Sequence, residues 1–148
     1  MMPDTINRLD TKFTEFPIMR AADAPSKAEI VQAEQQIGVP FPDDYRQFLS
    51  RYGGAMVGPY PIFGLRPVEV MDVDLWSVLD VTRHYRSQEV PGTDHWAIIS
   101  MDHAGNPIGI DRDGVIWIHD HDFGGLSPLA RDFENYVRVW CLKLPTGN

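Results

Sequence analysis

Between Gly38 and Gly54 the chain reads Gly-Val-Pro-Phe-Pro-Asp-Asp-Tyr-Arg-Gln-Phe-Leu-Ser-Arg-Tyr-Gly-Gly, and this run limits the fold more than any other. It must stop one helix, turn, start a second helix and stop that too. Upstream, Ser26 and Glu29 have the reciprocal spacing of a capping box, and Ile30, Ala33 and Ile37 fall on one helical stripe. Gly38 stands where a helix end calls for a left-handed residue, and Pro40 forbids continuation. Pro42 is expected at the first position of the next helix. Asp43 and Asp44 then sit in its first turn, at the positive end of the helix dipole. Phe41 would be the N-cap, a position for which it is chemically poor, so its expected role is to pack inward. Tyr45, Phe48, Leu49 and Tyr52 follow at i, i+3, i+4 and i+7, an inward-facing stripe. Capping, turning and packing account for the whole run, and none of it calls for catalytic chemistry.

The rest of the chain fits around this hinge. Ile6, Leu9, Phe13 and Phe16 mark an amphipathic helix over residues 4–16, ended by Pro17, and residues 17–25 read as a linker. The three prolines among residues 55–67 allow only a short edge strand, expected at Tyr60–Leu65. A third helix is expected over residues 74–87, capped by Asp72 or Asp74, with Leu75, Val78, Leu79, Thr82 and Tyr85 inward. The period then changes. Trp96–Met101, Pro107–Asp111 and Val115–His119 are short β-rich runs separated by Ala104-Gly105-Asn106 and Arg112-Asp113-Gly114. Asp-Gly is a strong hairpin signal, so this is an antiparallel meander. Val115, Trp117 and His119 share one face of its last strand and Ile116 and Ile118 the other, which predicts a central strand covered on both sides. Phe123–Leu126 reads as a loop. Ser127-Pro128 reads as cap and first residue of a closing helix. Its stripe would be Leu129, Phe133, Tyr136, Val137, Trp140 and Leu144, with Glu134 and Arg138 as a surface pair and Pro145 as its end. The predicted class is α+β: one domain over residues 1–148, an antiparallel meander packed against several helices, with residues 1–25 as an N-terminal extension.

Bulk properties narrow the function. A chain of 148 residues can bury a substantial core. A formal charge of −8 lacks the basic footprint of a general nucleic-acid binder and favours a basic macromolecular partner. Cys141 is the only cysteine, so no internal disulfide and no multi-thiolate metal site is expected. Met1-Met2-Pro3-Asp4-Thr5 has neither the basic nor the apolar region of a leader, and no run is apolar enough to span a bilayer. A cytoplasmic protein without membrane association is expected.

No motif carries chemistry strongly. His119-Asp120-His121-Asp122 is the one run of metal-capable side chains. Two histidines at i, i+2 on a strand can share a face, which makes a metal-dependent enzyme built on His119 and His121 a third-ranked reading. The run has no spaced partner of the kind that metal motifs supply, and turn formation explains it better. Asp111-Arg112-Asp113-Gly114 fails as a calcium loop, because Ile116 stands where the glycine of the sharp turn belongs. Cys141 beside Trp140 on an amphipathic segment reads as structural. No catalytic residue, resident metal or cofactor is assigned. Tyr60, Trp76 and Trp96 read first as core and second as aromatics of a binding face.

Several runs together resemble the SUKH superfamily, which includes bacterial toxin-immunity proteins and fungal cell-wall-assembly regulators of the Smi/Knr type. They are Ala28–Glu34, Gly38–Leu49, Tyr52-Gly53-Gly54, Trp96–Asp102, Gly105–Asp111, Gly114–His121 and the closing segment with Phe133 and Tyr136. The likeness covers about residues 26–142; it departs from the family in having no tryptophan before Trp76. It implies a non-enzymatic binding protein, foremost an immunity protein that neutralises a toxin of nuclease or deaminase class by direct binding. A regulatory protein-interaction scaffold is the alternative. Charge and expected exposure then point to Asp43, Asp44, Asp72, Asp74, Asp111, Asp113, Asp120 and Asp122, with Trp76, as the face for a basic partner.

Overall fold

In the computed structural model, residues 1–146 are described; the last two residues of the domain expected over 1–148 lie outside the description. Helix α1 (Pro3–Glu15) leads through a short 3-10 turn at Pro17–Met19 to α2 (Lys27–Ile37) and α3 (Asp43–Tyr52). A small hairpin of β1 (Ala55–Val57) and β2 (Tyr60–Ile62) follows, then α4 (Val78–Ser87). The larger sheet comprises β3 (Ala97–Met101), β4 (Pro107–Ile110), β5 (Ile116–Asp120) and β6 (Gly125–Ala130), antiparallel and in sequence order. A short α5 (Phe133–Asn135) widens into a π-helical turn over Tyr136–Cys141. The class is α+β, as predicted.

The hinge behaves as its residues require. Ser26 Oγ accepts the Glu29 N–H while the Glu29 carboxylate accepts the Ser26 N–H, so both halves of the capping box form. Gly38 has φ 79° and Gly53 φ 77°, the left-handed conformation in which a Cβ would clash with the backbone. Pro42 is the residue before α3 rather than its first residue, and Asp43 begins the helix. Phe41 is buried, its N–H donating to Glu34 Oε1 at 2.8 Å. Tyr45, Phe48, Leu49 and Tyr52 all lie in the core.

Further sequence expectations change. The predicted strand at Tyr60–Leu65 is the two-stranded β1–β2 hairpin, turning at Gly58 (φ 57°), with Phe63 N–H donating across to Ile99 O. The third helix starts at Val78 with Ser77 as its cap, its hydroxyl accepting the Asp80 N–H at 3.0 Å; Asp72 and Asp74 do not cap it, and Leu75 is exposed. Ser127-Pro128 does not open a helix. Residues 125–130 pair with β5 as a fourth strand, and Asp132 caps the helical segment instead, accepting the Asn135 N–H at 2.7 Å. A proline fits because β6 is an outer strand, where a missing ladder donor is tolerated. Finally, Glu134 accepts hydrogen bonds from Thr5 Oγ1 and the Met2 N–H, and Arg138 pairs with Asp4, so the expected Glu134–Arg138 pair is replaced by ties to the N-terminus.

The core lies between α3, α5 and one face of the large sheet. Phe133 meets Tyr45 and Phe48 edge-on at 5.1 and 5.4 Å between ring centres. Tyr45 donates its hydroxyl hydrogen to Phe63 O at 2.6 Å and Tyr136 to Ser100 Oγ at 2.9 Å, so the buried phenols are satisfied. Helix α1 is part of this packing: Leu9 and Phe13 are buried, Phe13 meets Tyr52, and Asp10 accepts from Tyr52 Oη at 2.7 Å and from Arg51. Helix α4 covers the outer edge of β3, Thr82 Oγ1 accepting the Ile98 N–H. Arg86 donates to the carbonyls of Ile37, Thr93 and Trp96, which holds the segment before β3 in place. That cover stops short of β5, which is the third strand in order but buried only at Ile116; Trp117 to Asp120 are half-buried. The expectation of a strand covered on both faces is therefore corrected to one covered on its core face.

Candidate partner-binding surface

The eight carboxylates singled out in the sequence divide by what their oxygens already hold. Asp111 Oδ1 accepts the N–H groups of Asp113 and Val115, and its Oδ2 accepts the Trp117 indole N–H at 2.8 Å. It builds the β4–β5 turn and orients Trp117. Asp120 Oδ1 accepts the N–H groups of Asp122 and Phe123, building the β5–β6 turn. Asp44 accepts from Tyr45 and Glu134 backbone N–H groups at 2.8 and 3.0 Å, tying the start of α3 to the start of α5. Burial there raises its pKa. Asp43, Asp72, Asp74, Asp113 and Asp122 are exposed.

These acids do not form one patch. Gly114 lies against Pro42, so Asp43, Asp111 and Asp113 gather at one corner. Asp120 and Asp122 lie at the other end of β5, separated from that corner by the length of the strand. Asp72 and Asp74 occupy the loop ahead of α4, where Val70, Val73 and Leu75 are also exposed. Trp76 is half-buried against the core. Of the other aromatics, Trp96 is buried, and Tyr60 stacks on His103 with Lys143 over its ring.

The histidine run separates in the same way. His119 sits on β5 opposite Leu126. His121 lies past the strand end, where its backbone N–H donates to Asn106 Oδ1 and its Nδ1 contacts the same oxygen. Among the described residues no group of three or more His, Cys, Asp and Glu side chains is placed to hold a metal ion. Cys141 is buried, and burial pushes its thiol up to about 12, so it is not a thiolate nucleophile at neutral pH. No helix among the described residues is long and apolar enough to cross a membrane.

What sequence reasoning missed is an apolar feature. Seven of the acids and a single arginine lie between Ser87 and Ala130, which puts −6 of the chain's −8 on the meander and its approach. In that acidic region Phe123 is 88% exposed and Leu126 47%. Phe123 and Leu126 stand three residues apart at the β5–β6 turn, an exposed apolar pair rather than one scattered residue. A phenylalanine lodged between an Asp/His turn and a Gly-Gly pair is the signal that could have marked it.

The SMI1 / KNR4 family (SUKH-1) model matches residues 24–138. No curated protein matches the sequence.

Proposed function

The chain belongs to the SMI1 / KNR4 family (SUKH-1), and from that premise we propose that it is a non-enzymatic binding protein, an immunity protein that neutralises a basic toxin domain by direct contact. Members of the family are generally non-enzymatic binding proteins. The observation that carries the reading is the concentration of negative charge, −6 of −8 within residues 87–130. Nuclease and deaminase domains hold their anionic substrates in basic clefts, and a protein with an acidic face competes for such a cleft and is steered toward it. The side-chain contacts agree: Asp111 gives one oxygen to the β4–β5 turn and the other to the Trp117 indole, Asp120 gives one oxygen to the β5–β6 turn, and Asn106 engages the His121 ring.

Co-expression tests the proposal. Growth of cells producing a toxin encoded beside this gene should be restored by this chain, and the two proteins should co-purify. Failure with every neighbouring toxin would reject immunity. A gene without toxin neighbours whose product instead retains a host protein of defined identity would favour the regulatory scaffold.

A further inference from the structure

The large sheet has one face in the core and a second that is only half covered. Register sorts the residues: Trp117 pairs with Gly109 and Pro128, and His119 with Leu126, so these side chains share the second face. Trp96 caps its β4 side. It stacks on Trp117 with ring centres 6.5 Å apart and planes 16° from parallel. Gly109 permits this, since a Cβ there would lie 2.7 Å from Trp96 Cβ. Gly92 lies against both the Trp96 ring and Leu126 Cδ2. Trp117 and His119 are half-buried, Leu126 and Pro128 are exposed, and Phe123 stands out at the end of the strand pair.

Three features describe what this face would take. It is apolar and aromatic, with the Trp117 indole oriented by Asp111. Asp94 stands in the turn ahead of Trp96, Asp111 holds the Trp117 indole, Asp120 and Asp122 form the β5–β6 turn, and Arg112 is the only lysine or arginine between Ser87 and Ala130. Its outer strand contains Pro128, which removes a backbone donor from β6 and discourages pairing by strand addition. Like charge opposes a second copy of this chain. We propose that this face of β5 and β6 is the docking surface for a cationic segment of the protein partner. An apolar side chain of that segment rests on Trp117 and Leu126, and its arginines or lysines meet the exposed carboxylates of Asp94 and Asp122. The inference rests on the reading of the chain as a binder of a basic protein and names the face it uses.

The test has two independent arms. In the first, a short synthetic peptide alternating arginine with leucine is titrated into the full chain, followed by backbone and indole nuclear magnetic resonance shifts. The Trp117 indole N–H, Gly125 and Leu126 should move. Phe123→Ser combined with Leu126→Thr, both at exposed positions, should weaken binding by about tenfold or more. Asp72→Asn with Asp74→Asn should leave it unchanged. Shifts confined to Val70–Leu75, or equal binding by the Phe123/Leu126 variant, would overturn the assignment. So would concentration-dependent dimers of the wild type that this variant abolishes, which would make a second copy the occupant. In the second arm the same variants are co-expressed with the neighbouring toxin. Rescue by wild type and the Phe123/Leu126 variant alike would sink the face and leave the immunity reading standing. No rescue by wild type, with the peptide still mapping to Trp117, would do the reverse.

Discussion

Replacing Tyr45 by phenylalanine removes one oxygen atom from the hinge and leaves its ring in place. That oxygen sits at the junction of α3 with the β1–β2 hairpin, donating to Phe63 O at 2.6 Å, and Tyr45 is fully buried. Burial raises the pKa of its phenol far above the usual value, so the group is a donor at every working pH. The ring keeps its edge-on contacts with Phe41 and Phe133 at 5.0 and 5.1 Å, so no cavity larger than a hydroxyl arises. The loss is then the net hydrogen bond plus the desolvation of a carbonyl left without that partner, together about 1–3 kcal/mol. For a chain of this size each kcal/mol lowers Tm by roughly 2–4 °C. Urea unfolding should show a lower midpoint with an unchanged slope, and calorimetry a fall of roughly 2–12 °C. Tyr45→Ala, which also empties the ring site, should cost about 3–5 kcal/mol. If Tyr45→Phe is neutral within about 0.5 kcal/mol, the hydroxyl does not lock the hinge to the hairpin, and the account of the hinge as a polar as well as apolar clamp fails.

Three further outcomes follow from local geometry. Gly38→Ala should cost about 1–2 kcal/mol through its positive φ alone, since no atom lies within 4 Å of the added Cβ. Gly53→Ala should cost more, because its Cβ would also meet Asp23 O at 2.5 Å; equal unfolding midpoints for the two variants would contradict this. The Arg66 guanidinium and the Ser26 backbone N–H hold Glu29 down from 4.5 to about 2. A carboxyl with a depressed folded pKa stabilises the fold above its unfolded value and loses that contribution on acidification. The wild-type advantage over Glu29→Gln, followed by urea midpoints, should therefore be full above pH 4.5 and vanish toward pH 2; a difference constant across that range would refute the pairing. Asp111→Ala should cost about 1–2 kcal/mol by opening the β4–β5 turn. It should also alter the near-ultraviolet circular dichroism of the Trp96–Trp117 stack, and an unchanged aromatic spectrum would show that Asp111 does not orient Trp117.

Which parts of this fold could be read from residues follows from how local their causes are. The capping box at Ser26 and Glu29, the left-handed Gly38, the Tyr45–Tyr52 stripe and the β3–β5 meander rest on contacts within a few residues, and all form. The fourth strand was illegible for a specific reason. Ser127-Pro128 carries a helix-start signal, and Leu129 continues the spacing of Phe133 and Tyr136. The pairing that overrides this signal comes from β5, a partner outside the segment itself. Asp132, five residues further on, supplies the cap that Ser127 does not. The start of α4 failed differently: Ser77 stands three residues before Asp80 with cap spacing, but Asp72 and Asp74 competed for the role on charge. Acidity was legible as a total. The use of each acid was not, because whether a carboxylate faces solvent or a turn N–H depends on loop geometry, as Asp111 and Asp113 show within three residues. The exposed Phe123 and Leu126 were hidden for the same reason that β6 was.

Titrating this protein into a purified neighbouring toxin domain tests the central claim most directly. The account predicts that toxin activity falls linearly to zero at one equivalent, with an association rate that drops steeply as salt is added. A stable complex that leaves the toxin active, or the absence of any complex at low salt, would contradict it.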